Sequence, residues 1–290
     1  MCLRSGWLEF LKFSIDRVLK NHPLDGVYYD WNVSLLCYNA RHEGGGDAAS
    51  PGRGHWDVDE LVDLMEWTRR RVGPGGLIIV HNTTTPMFVA ENFSDYVVAT
   101  EWGYGKWTDR APDLENLPLE WTFAGAVPRG VISYSTLTAQ SPRRLHRLFA
   151  IQALLGGSAT WPASGEIFDL MGVLKPIGDF STCRFADWRT RAVSLSHPRC
   201  GAAVYSRPGE AYVLLANLDA ESREVTCRIH PDKLPHALSG LTSARLVAGA
   251  ATSAPAAVEK DPRVLDAARL AAEGVKITIP GDGLLLLHVR

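Results

Sequence analysis

The sequence predicts an α/β protein in two parts: a parallel sheet with helical cover, then a small antiparallel β-sandwich. Three observations lead there. Five short, mostly apolar runs (26–31, 77–82, 95–101, 130–135 and 157–161) alternate with stretches of helical periodicity, and strands separated by helices pair in parallel. After about residue 186 the helical pattern gives way to short strand-like runs divided by turn residues, as in a sandwich. Two of the early runs also share an ending. Val27-Tyr28-Tyr29-Asp30-Trp31 and Val97-Val98-Ala99-Thr100-Glu101-Trp102 each finish on a carboxylate and then an indole.

The elements follow in order. Residues 7–21 carry apolar positions at helical spacing, and His22-Pro23 stops that helix. Asp25-Gly26 then turns the chain into the strand 26–31. A loop rich in Gly, Pro and Ser runs from Glu43 to Gly54. It lacks the Gly-Lys-Ser/Thr ending of a phosphate-binding loop and reads as a βα loop beside a site. Asp57 to Val72 is an amphipathic helix with Asp57 as its cap and Gly73-Pro74-Gly75-Gly76 as its stop. The strand 77–82 ends in His81-Asn82. A short helix at 86–92 precedes the strand 95–101, and helices are expected at 142–155 and 166–179. The later strands fall at 202–205, 211–217, 225–229, 275–279 and 284–289, with the Ala-rich stretch 248–257 as a loop. The barrel-like part is assigned to 1–183 and the sandwich to 184–290.

Composition narrows the function. Of 290 residues 46% are hydrophobic and 21% charged, which fits a globular chain, and with a net charge of −2 no basic excess argues for nucleic acid or an anionic membrane as a partner. Apolar runs such as Leu284 to Leu287 are far too short to span a bilayer. The first residues hold no apolar signal-peptide core, and the sequence leaves the compartment unknown. The five cysteines are odd in number and show no Cys-x-x-Cys or zinc spacing, so they read as reduced and structural, with no metal ligand and no cofactor assigned. No Gly-x-Ser-x-Gly elbow and no dinucleotide fingerprint follows a strand.

In a barrel of βα steps the residue ending a strand faces the active site. Two carboxylates so placed, each beside an indole, are the parts needed to cleave a glycosidic bond. The runs DGVYYDW, IIVHN and VVATEWG, the strand order and the trailing sandwich resemble a glycoside hydrolase of the (β/α)8 type, in the broad clan of α-galactosidases and α-glucosidases. In that clan the nucleophile ends the fourth barrel strand and the acid/base the sixth. The resemblance therefore implies that 26–31 is the fourth strand and 95–101 the sixth, with Asp30 as nucleophile and Glu101 as acid/base. The five runs become strands four to eight of a partial barrel. No residues remain for strands one to three, so a fragment of a longer gene or an open sheet is expected, with an oligomer as one way to cover the gap. A carbohydrate is the implied partner.

Around that pair, His81 and Asn82 are candidates to hydrogen-bond sugar hydroxyls or orient Asp30. Trp31, Trp102 and Trp161 are candidates to stack on a sugar ring, and Tyr134 to donate to a substrate oxygen. Plainer roles stay open: a turn cap or arginine partner for Asp30, a loop ion pair for Glu101, a core histidine for His81, and packing for each indole. Asp25 and Asp95 stand at strand starts and are expected at the stability end of the sheet. A non-catalytic carbohydrate-binding or structural module is the alternative to the hydrolase.

Overall fold

The computed structural model describes residues 2–30, 34–39, 42, 54–81, 88–102, 132–137, 143–157, 159–160, 166–251 and 254–290. Side chains are not described at 99–102, 132–137, 159–160, 166–167, 254–256, 258–259 and 261. The chain divides into two compact units, Met1–Glu101 with Ala124–Ser135, and Trp102–Phe123 with Thr136–Arg290.

The first unit opens with an irregular helical turn, Leu3–Trp7, and helix α1, Leu8–Asn21. Strand β1 is Gly26–Asp30. Two short strands, β2 (Leu36–Cys37) and β3 (His55–Trp56), pair antiparallel in the segment after it. Helix α2 (Val58–Val72), strand β4 (Leu77–His81), the single turn α3 (Phe88–Glu91) and strand β5 (Tyr96–Trp102) follow. Strand β6 (Ile132–Leu137) completes the order β1-β4-β5-β6, and the second unit contains the short strand β7 (Ala159–Thr160). Pairing is parallel between β1 and β4 and between β4 and β5. The expected α/β alternation is thus present. Among the described residues β1 stands at the end of its sheet, with β4 as its one neighbour.

Period-two alternation sorts these strands into two faces. Ile78 and Val80 are fully buried and pack with Leu61 and Met65 of α2. Tyr29 turns to the same side, its hydroxyl 2.6 Å from Thr68 Oγ1, and burial pushes its phenol up to about 12. Tyr28, Asp30 and His81 take the other face. Gly26 has no substitute: a Cβ there would sit 2.0 Å from the Leu77 carbonyl oxygen. The strand starts are tied down, as expected. Asp95 Oδ2 accepts from Ile78 N–H at 2.8 Å and from Arg69 Nη2 at 2.7 Å, and Arg69 also donates to the Gly76 and Phe93 carbonyls.

Asp57 departs from its expected role. It occupies the N-cap position of α2, but its side chain makes no cap bond. The carboxylate instead accepts from Ser34 Oγ–H and Leu35 N–H, both at 2.9 Å, and is buried. It ties Ser34 and Leu35 to the start of the helix.

The second unit holds helices α4 (Arg143–Gly156) and α5 (Glu166–Met171), with a 3₁₀ segment, Gly172–Ile177, completing the helical stretch predicted there. Its strands are β8 (Arg184–Ala186), β9 (Val193–Leu195), β10 (Cys200–Arg207), β11 (Glu210–Asn217), β12 (Arg223–Ile229), β13 (Ala244–Ala251) and β14 (Ala254–Leu265). A short helix, α6 (Ala267–Ala272), leads to β15 (Val275–Ile279) and β16 (Gly283–Val289). They form a six-stranded sheet, β14-β13-β16-β11-β10-β8, and a three-stranded sheet, β15-β12-β9, with antiparallel pairing throughout.

The six-stranded sheet is covered on both sides. Val213, Leu215, Leu285 and Leu287 pack with Val225, Cys227 and Ile277 of the smaller sheet. Leu214, Leu284 and Leu286 pack with Leu148, Ile151 and Leu155 of α4 and with Val173 and Ile177. Double cover explains why Leu284 to Leu287 is a continuous apolar run. The stretch 248–257, expected as a loop, is instead strand over most of its length. Ala248 and Ala250 are buried in that second cluster, and pairing with β16 outweighs alanine's weak preference for strands.

Candidate active site

The site is set by the register of β1 and β4. Asp30 pairs with His81 along the parallel ladder, and Tyr28 pairs with Ile79. Residues opposite each other on parallel strands share a face, and residues two apart on one strand share it too. Tyr28, Asp30 and His81 are therefore brought to one face at the carboxyl ends of two neighbouring strands.

Their side chains meet. His81 Nδ1 lies 3.0 Å from Asp30 Oδ1, and Tyr28 Oη lies 2.8 Å from the same nitrogen. Tyr28 O–H also donates to Asp30 Oδ1 at 3.3 Å. Tyr28 has one hydroxyl proton and gives it to Asp30, so His81 Nδ1–H donates to Tyr28 Oη; the tautomer is inferred from these partners. Both contacts fall on Oδ1. Among the described residues Oδ2 has no hydrogen-bond partner, and the Asp30 side chain is 63% exposed while that of His81 is 9% exposed. One oxygen is held by a buried imidazole and a phenol, and the other faces outward. A carboxylate arranged this way can orient itself and still reach a ligand atom.

The other expected residues fall unevenly. His81 is in register with Val98, and Glu101 lies farther along β5, toward its carboxyl end. Trp102 ends β5, and Tyr134 lies within β6. The side chains of Glu101, Trp102 and Tyr134 are not described, and Trp31, Asn82 and Trp161 lie outside the described residues. Sequence reasoning missed Tyr28. The signal was available, since it stands two positions before Asp30 on the same strand.

A second group was also missed. Sequence spacing assigned no metal ligand, yet Cys2, Cys37 and His42 bring their ligand atoms within 4.8 Å of one another. Burial, and then a hydrogen bond with the Cys37 thiol, raise the Cys2 thiol above its ordinary value. All five cysteines are free thiols.

No protein-family model and no curated protein matches the sequence. Solved structures do match. The noncanonic maltogenic α-amylase AmyB of Thermotoga neapolitana superposes over 98% of this chain and 66% of its own, at 14% identity and a TM-score of 0.55. The α-amylase of H. orenii covers 98% and 64%, at 11% identity and a TM-score of 0.52. The α-amylase of Geobacillus thermoleovorans, solved with acarbose, covers 98% and 64% at 11% identity and a TM-score of 0.51. The likeness is one of fold. These neighbours are glycoside hydrolases, and this chain has a glycosidase-like α/β fold. The chain spans 64–66% of the length of these three structures, just under two thirds.

Proposed function

We propose that the chain is the carboxyl-terminal part of a (β/α)8 glycoside hydrolase, with β1, β4, β5, β6 and β7 as barrel strands four to eight and the antiparallel sheets as a trailing sandwich. The observation that carries the reading is Asp30. It ends a parallel strand, is held through one oxygen by Tyr28 and His81, and turns the other outward. The glycosidase-like fold supports it.

In this reading Asp30 attacks the anomeric carbon of an α-linked or related glycoside. Glu101 protonates the leaving oxygen, and then activates the water that releases the sugar. Retention requires the two carboxyl groups about 5–5.5 Å apart. Tyr28 and His81 aim Asp30, since both lie against the same oxygen. Trp31, Trp102 and Trp161 would stack on sugar faces, and Asn82 and Tyr134 would bind hydroxyls.

A second reading, a carbohydrate-binding or structural module without catalysis, is favoured by the chain's incomplete span of its structural neighbours. A panel of aryl α- and β-glycosides separates the two. Hydrolysis by the wild-type chain, lost in both Asp30→Ala and Glu101→Ala, supports the hydrolase. A folded chain that binds sugars without turnover supports the module.

A further inference from the structure

We propose that Cys2, Cys37 and His42 form a binding site for a thiophilic divalent cation of the zinc class, with three protein ligands and a fourth position open to solvent. The inference is independent of the glycosidase reading.

The geometry comes first. Cys2 Sγ lies 3.5 Å from His42 Nδ1, and Cys37 Sγ lies 3.3 Å from the same nitrogen. An imidazole nitrogen has one lone pair or one proton, so it cannot serve two thiols equally well. A cation can, because it sits between all three atoms. Zinc binds sulfur at about 2.3 Å and histidine nitrogen at about 2.0–2.1 Å, and a tetrahedral angle between them sets sulfur and nitrogen about 3.5 Å apart. Both observed separations are close to that value. The donor set suits the ion too, since thiolates and imidazole select zinc over magnesium or calcium.

Charge and access agree. Two thiolates neutralise a divalent cation, and binding releases their two protons to solvent. The ligands are half-buried, and Cys2 also lines an open depression of about 460 Å³ with Ser5, Gly6, Trp7 and Phe10.

Topology gives the site a purpose. Cys37 lies on β2 in the segment that follows Asp30, and Cys2 precedes the helical stretch that leads through α1 into β1. A cation held there ties the start of the chain to the loop after the strand carrying Asp30.

The test uses the reduced, metal-free 290-residue chain. Cobalt(II) should bind one per chain and produce a thiolate-to-cobalt charge-transfer band. Zinc should abolish that band and slow alkylation of Cys2 and Cys37 about tenfold or more, since a metal-held thiolate is no longer a free nucleophile. Alkylation of Cys183 should be unchanged. His42→Ala and Cys37→Ser should each lose the band. Equal alkylation rates with and without zinc would overturn the site, and so would a band that survives in His42→Ala. A Cys2–Cys37 disulfide in the wild-type chain that leaves no cobalt band after reduction would also overturn it. The alkylation comparison needs no variant, so it decides the matter even if a substitution prevents folding.

Discussion

Asp30 and His81 occupy the same register position on neighbouring parallel strands, and their side chains meet at 3.0 Å. The pairing is a consequence of backbone register, which places both residues on the face turned away from α2. The carboxylate is exposed, so the contact adds little stability. Its effect is to fix where one oxygen points.

That placement sets the first prediction. Asp30→Ala should lower kcat/KM on the best aryl glycoside on the order of ten-thousandfold, the scale of losing a residue at the reacting centre. Glu101→Gln should cost about 10²–10⁴-fold, the range of general acid–base catalysis. Steady-state kinetics checks both, with circular dichroism confirming the fold.

Tyr28→Phe and His81→Ala each remove one hold on Oδ1. Each should lower kcat about tenfold to a hundredfold with little change in KM, since misdirecting a reacting group slows the chemistry more than it weakens binding. Tyr28 is half exposed, so Tyr28→Phe should change stability by less than about 0.5 kcal/mol. A kcat equal to wild type in both variants would remove them from the site.

The opposite end of the sheet should respond in the opposite sense. Asp95 accepts from Ile78 N–H and from Arg69, far along the strands from Asp30. Asp95→Ala should destabilise by about 1–2 kcal/mol, a value reduced for partial exposure of the pair, and leave kcat within about twofold of wild type on that positional argument. Urea denaturation and kinetics on the same preparation test the two halves.

Acid stability should depend on Glu210. Burial works to raise its carboxyl pKa, but hydrogen bonds from Arg207, His288 and Arg290 outweigh it and bring the value down to about 2. The unfolded chain, with an ordinary carboxyl, then takes up the proton first. Stability should fall as pH drops from about 4.5 toward 2, by on the order of 2 kcal/mol from this group. Glu210→Gln should be less stable at neutral pH and flatter across that window in denaturation measured at each pH.

Much of this was legible in the sequence, for physical reasons. Asp30 and His81 end strands whose apolar runs and flanking turns are explicit, so their shared end of the sheet followed from βα alternation. Asp95 was readable in the same way. Residues whose roles depend on distant partners were not. Asp57 sits where a cap belongs, and only the fold reveals Ser34 and Leu35 as better partners. Ala248 and Ala250 carry little local strand signal, and the neighbouring β16 makes them strand. Cys2 meets Cys37 and His42 only because the chain returns on itself, so spacing could not reveal the cluster. The one local trace was that Cys37 and His42 stand close together in the sequence.

The most direct test of the central claim is rescue of Asp30→Gly by azide, using the aryl glycoside that the wild-type chain hydrolyses best. If Asp30 is the nucleophile, the variant should be inactive alone, and azide should restore release of the aryl group. The product should be a glycosyl azide of the opposite anomeric configuration. A variant that still hydrolyses at the wild-type rate, or one that azide leaves inactive although folded and sugar-binding, would contradict the assignment.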